Sequence, residues 1–239
     1  RSRAIGGGKM SAQSQQVGVR DVQQVGGHRP TWRQGSLAIP SKEALRVYIV
    51  YGLAIDLAFF SVYGLCNWVS AQRTDVRQLY FDWELGIPFV PEMLVVYLSM
   101  FVLFFVPLFQ LSPDQLRRLG QQVLIGIGLS GIVFLLVPGE LGFERIGDTS
   151  VIGPIFAFIY QVDFPHNLVP SLHIIFSALI VFALNEASSP RLKVLYWTWL
   201  DLLSVSVVLV HQHHLADVAG GFVIAVICRN LRPRRPKPN

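Results

Sequence analysis

The chain has 239 residues, 52% of them hydrophobic and 15% charged, with a mean hydropathy of +0.46. One soluble domain of this size cannot hide that much apolar surface, so the composition excludes an ordinary soluble fold and indicates a membrane protein. The formal net charge of +5 invites a nucleic-acid reading, which the placement of the charges removes.

Residues 1–42 are rich in Gly, Gln, Ser and Arg and poor in large apolar side chains. Such a segment cannot build a core and reads as a disordered cytoplasmic tail. It has no compact apolar stretch before a small-residue cleavage site, so the first spanning helix is expected to act as the insertion signal.

A membrane domain follows over residues 43–231. Crossing a hydrocarbon layer of ~30 Å takes about 20 apolar residues in a helix. Six stretches are read as spans: 44–69, 91–109, 119–138, 171–187, 192–210 and 213–231. The fold class is therefore all-α, a polytopic membrane protein with six transmembrane helices in one bundle. Between the third and fourth spans, "TSVIGPIFAFIYQVDF" is too short in its apolar part to cross and contains Gly153 and Pro154. It reads as a re-entrant or interfacial segment. Residues 232–239 form a basic tail.

Lys and Arg accumulate on the cytoplasmic side of membrane proteins. With the N-terminus inside, seventeen of the twenty Lys and Arg fall in inner segments. The outer loops keep Arg73, Arg77 and Arg145 against eight acids, among them Asp82, Glu84, Glu92 and Glu140. Both termini are then cytoplasmic, in a plasma or inner membrane. The positive charge is explained by inner tails facing lipid head groups, without nucleic acid. Cys66 and Cys228 fall near opposite ends of the bundle and cannot pair. Asp56 and Asp201 lie within spans, where a charge is costly, and are expected to face the bundle interior.

Five of the six histidines, His166, His173, His211, His213 and His214, gather on the outer side. In "HQHHLAD", His213 and Asp217 are four apart, so on a helix starting near His213 they share a face. Asp217 then fixes the His213 tautomer and leaves the other ring nitrogen free as a nucleophile. In "FPHNLVPSLHIIFS", Pro170 suits a first helical turn. The N–H groups of that helix start, with the Ser171 hydroxyl, make an anion site, and His173 beside it is a candidate acid. A nucleophile, an anion cradle and an acid are the parts that phosphoryl transfer needs, with no cofactor or metal.

These two boxes resemble the second and third signature motifs of the type 2 phosphatidic acid phosphatase superfamily, P-S-(G or other)-H and S-R-x5-H-x-x-x-D. Pro170, Ser171 and His173 fit the first of them; Ser206, His213 and Asp217 fit the other at full spacing. The resemblance implies that His213 forms a phosphohistidine, that Asp217 orients it, that His173 protonates the leaving group and that Ser171 binds phosphate. It implies a lipid phosphate substrate held in the bilayer, at an extracytoplasmic site.

The sequence departs from the pattern at Leu172, where glycine is usual, at Val207, where arginine is usual, and in lacking the first motif, K-x6-R-P. Arg145, His211 or His166 are the candidates to replace those cations at the phosphate. Leu172, the paired histidines and "IPFVPEMLVVYLS" resemble the inositol phosphorylceramide synthase-like branch. The first expectation is thus a lipid phosphatase, with a lipid phosphotransferase acting on an alcohol acceptor as the alternative. A rival reading makes the three histidines and Asp217 a zinc site completed by His173; a helix through His213 and His214 disfavours it, since adjacent side chains point about 100° apart.

Overall fold

The computed structural model describes residues 39–145, 152–162 and 166–231, all within the second of two compact units, 33–239. The two tails expected from the sequence lie outside the described residues, apart from 39–42 at the start of the first helix.

Seven α-helices make up the described fold: α1 (Lys42–Ser70), α2 (Leu94–Gln110), α3 (Pro113–Leu136), α4 (Gly153–Val162), α5 (Leu172–Ala187), α6 (Pro190–Leu209) and α7 (Leu215–Asn230). Among the described residues there is no strand, only an isolated bridge between Arg77 and Gly139.

Local chemistry sets several ends. The Ser41 hydroxyl accepts the Ala44 N–H at 3.0 Å and starts α1. Ser112 and Gln115 cap α3 reciprocally, hydroxyl to backbone N–H and amide oxygen to backbone N–H, at 3.3 and 2.9 Å.

Four helices are long and apolar enough to cross a membrane: α1, α2 with its preceding turn from Pro91, α3 and α6. Of the six spans expected, these four are long and apolar enough to cross. Helices α5 and α7 have 16 residues each, roughly 24 Å at about 1.5 Å per residue. Both begin late because the polar residues before them turn aside into the histidine cluster. Helix α4 has ten residues, too short to cross.

Helix α5 is the axis of the bundle, packing against α2, α3, α6 and α7, while α1 rests chiefly on α3. Its side chains Ile174, Ile175, Ala178, Leu179, Val181 and Leu184 are sealed from solvent. Because α1 and α6 each turn a broad face outward, Asp56 and Asp201 are exposed. This corrects the expectation that they face the interior. Cys66 and Cys228 are both buried and free.

Two glycines allow close helix approach. A Cβ on Gly131 would meet the Val62 side chain at 2.5 Å, and one on Gly221 would meet both the Ser171 carbonyl oxygen and the Ile174 Cβ at 2.8 Å. The first lets α1 lie on α3; the second seats α7 on the start of α5. Gly221→Ala is expected to force α5 and α7 apart, at about 1–3 kcal/mol. A thermal-unfolding assay in detergent should show a lowered midpoint, whereas Gly128→Ala, where a Cβ meets nothing within 4 Å, should leave it unchanged.

Candidate active site

The site forms where the starts of α5 and α7 meet. The chain leaving α6 reverses at His211, whose φ of 55° lies in the left-handed region, which His visits more readily than most residues. The Val207 carbonyl then accepts both the Gln212 and His213 N–H groups, at 3.0 and 3.1 Å.

His213 therefore lies outside α7, two residues before its first turn, correcting the expectation that it stands on the helix. His214 is the N-cap. The contact expected from helical spacing nevertheless forms: His213 Nδ1 is 3.1 Å from Asp217 Oδ2. The same oxygen accepts the His214 backbone N–H at 2.8 Å, so Asp217 caps the helix and holds the imidazole with one atom. Pro170 likewise precedes the N-cap Ser171 of α5 and is not in the first turn.

Asp217 also joins the two helices. Its backbone carbonyl accepts the Ser171 N–H at 3.0 Å. His173, on the first turn of α5, places Nδ1 3.0 Å from His213 Nε2, and Tyr97 of α2 places its hydroxyl 2.7 Å from His173 Nε2. Since Asp217 Oδ2 is already an acceptor, the proton between it and His213 sits on Nδ1, leaving Nε2 with a lone pair. His213 and Asp217 are buried, with relative exposures of 4% and 1%. Ser171 is sealed from solvent, and its hydroxyl has no hydrogen-bond partner among the described residues.

A second layer supports the first. Four rings stack in one column: Tyr80 on His214 at 4.3 Å, His214 on Phe143 at 4.2 Å and Phe143 on His211 at 4.0 Å between centroids. Three separate segments are clamped this way. His211 Nε2 lies 3.0 Å from the Ile87 carbonyl oxygen and donates to it. Glu84, sealed from solvent, accepts the Leu215 N–H at 2.9 Å and the Phe81 N–H at 3.0 Å, with His214 Nδ1 3.4 Å away. It ties the segment before α2 to the start of α7.

The structure thus brings His173, His213, Asp217 and Ser171 together and sets His211 at the far end of the ring column. Arg145 donates to the Tyr160 carbonyl at 2.8 Å and stacks over the Tyr160 ring at 5.0 Å, which ties it to α4. The His166 carbonyl accepts the Gly139 N–H at 3.3 Å. Val207, where the resembling motif has arginine, is fully buried in an apolar cluster with Leu94, Tyr97 and Ile174. The Ser206 hydroxyl donates to the Leu203 carbonyl of its own helix. Among the described residues no three His, Cys, Asp or Glu side chains are grouped as a metal shell.

Tyr97, Glu84, Tyr80 and Phe143 were not singled out from the sequence. Each lies outside the two histidine motifs and carries no spacing signal, although Tyr97 falls within the quoted stretch "IPFVPEMLVVYLS". In comparisons with known proteins, residues 147–230 match the family model of the PAP2 superfamily, a span that covers α4 to α7. No curated protein matches the chain.

Burial holds the His211 and His214 rings below the ordinary imidazole value of 6.5, with Asp217 and Glu84 partly offsetting the effect for His214. The neutral rings thus favour the folded state above pH 6.5, and that contribution is lost as pH falls further. Thermal midpoints are expected to decline as the pH falls from 6.5. His214→Phe, which keeps a ring in the column, should decline less steeply over that range.

Proposed function

We propose that the protein is an integral membrane enzyme that cleaves lipid phosphate esters through a phosphohistidine on His213. The observation that supports this best is the run of contacts Asp217, His213, His173, in a segment that matches the PAP2 superfamily. Nothing else in the described fold sets a buried, oriented imidazole against a second imidazole at an anion-binding helix start.

In the mechanism, Asp217 accepts from His213 Nδ1 and directs the Nε2 lone pair at phosphorus. The Ser171 hydroxyl and the free N–H groups of the first turn of α5 bind the phosphoryl oxygens. The N–P bond forms as the ester P–O bond breaks, and His173, protonated from solvent to the imidazolium for this step, gives its Nδ1 proton to the departing oxygen. His173, now with a bare Nδ1, takes a proton from the incoming acceptor, whose oxygen attacks phosphorus and releases His213.

The attacking nitrogen needs about 3 Å to phosphorus and the acid about 3 Å to the leaving oxygen. A phosphoryl group seated between the two imidazoles, 3.0 Å apart, requires the rings to part.

Water as acceptor makes the enzyme a phosphatase. The second reading, a lipid phosphotransferase with an alcohol acceptor, is favoured by Leu172 and Val207. Both are buried apolar residues where the phosphatase pattern has glycine and arginine, and Leu172 is one of the features that resemble the inositol phosphorylceramide synthase-like branch. The site is placed on the extracytoplasmic side by the distribution of Lys and Arg.

The test is product analysis of the full chain in detergent with EDTA, using labelled lipid phosphates and phospholipids, with and without inositol or diacylglycerol. Free phosphate identifies a phosphatase, and a new phosphorylated lipid formed only with an alcohol identifies a transferase. His213→Ala should abolish either product; full turnover by this variant overturns the mechanism. His173→Ala should slow alkyl phosphates by about 100-fold or more and spare leaving groups that depart without a proton.

A further inference from the structure

We infer that Tyr97 is the positioning residue of the general acid, holding His173 with its Nδ1 toward the reacting phosphoryl group. The inference rests on the reading of His213 as nucleophile and His173 as acid. It concerns a residue of α2, outside the span 147–230 that matches the family.

The geometry runs in one direction. With the His213 proton on Nδ1, its Nε2 is an acceptor, so the hydrogen bond at 3.0 Å requires a proton on His173 Nδ1. A neutral His173 then has a bare Nε2, and among the described residues the group placed to donate to it is the Tyr97 hydroxyl at 2.7 Å. Tyr97, donating to Nε2, thus supports the tautomer set by His213, with the proton on the side facing the nucleophile. The phenol is buried, with its ring in the apolar cluster of Leu94, Ile174 and Val207, and the two rings lie 4.9 Å apart. The hydroxyl is therefore delivered by a fixed scaffold.

A hydroxyl suits this place because it both donates and accepts. When substrate binds, His173 takes a proton from solvent at Nε2 and becomes imidazolium, and Nε2–H then donates to the Tyr97 oxygen. Loss of the Nδ1 proton to the departing oxygen leaves that bond intact and a bare Nδ1 facing the phosphohistidine. There it takes the proton of the incoming acceptor and becomes imidazolium again. Tyr97 undergoes no net change in the cycle.

The test compares Tyr97→Phe with the wild type on phosphatidic acid, whose alkoxide needs a proton to depart, and on 4-nitrophenyl phosphate, whose phenolate does not. The value kcat/KM reports steps up to loss of the leaving group. Tyr97→Phe should lower kcat/KM for phosphatidic acid by about 10- to 100-fold, a part of what a general acid supplies, and affect 4-nitrophenyl phosphate far less. In His173→Ala the added Tyr97→Phe change should have no further effect. Placing 3-fluorotyrosine at 97 keeps the shape of the side chain and should alter kcat/KM for phosphatidic acid selectively, even if the phenylalanine variant folds poorly.

Equal loss on both substrates, no loss on either, or additivity with His173→Ala would overturn the role of Tyr97. Full turnover by His213→Ala, or a wild type inactive on both substrates, would instead overturn the reading on which it rests.

Discussion

The arrangement depends on Asp217. One carboxylate oxygen accepts the His213 ring and the His214 backbone N–H, and the carbonyl of the same residue accepts the Ser171 N–H. A helix cap, an imidazole orienter and a clasp between two helices are thus one residue. His213, the proposed nucleophile, is set in the frame of α7, and His173 and Ser171, the proposed acid and anion ligand, in the frame of α5. Their relative position therefore depends on this clasp and on the close approach that Gly221 permits. Shifting Asp217 would disturb every element of the site at once.

Burying so many polar groups is costly unless they are partnered, and the surrounding shell supplies partners from distant segments. Glu84 takes up the N–H of Leu215 at the start of α7, while the column of Tyr80, His214, Phe143 and His211 packs neutral imidazoles between carbocyclic rings. The same shell explains the departures from the resembling motif. Val207 and Leu172 point into apolar clusters, where an arginine would be a buried charge without a partner.

The helices were legible in the sequence because uninterrupted apolar stretches dominate it, and the grouping of His173, His213, Asp217 and Ser171 was legible because they lie in two short motifs. What misled was regularity. The spacing of His213 and Asp217 matched a helical face, yet the chain leaves the helix before His213 and recovers the contact through a cap. Asp56 and Asp201 were assigned to the interior from cost alone, without knowing which helices turn broad faces outward. Glu84, Phe143 and Tyr97 could not be read at all, since their contacts join segments up to 131 residues apart in the chain, and no local pattern encodes such pairings.

The central claim is that His213 carries the phosphoryl group, and the most direct measurement is to trap it. The full chain, mixed briefly with phosphorus-labelled lipid phosphate and quenched in alkali, where a phosphoramidate survives, can be digested and the label located by mass spectrometry. The expected result is label on His213, absent from His213→Ala and formed far more slowly in His173→Ala, where the leaving oxygen is not protonated. Label on another residue, or label retained by His213→Ala, would contradict the mechanism.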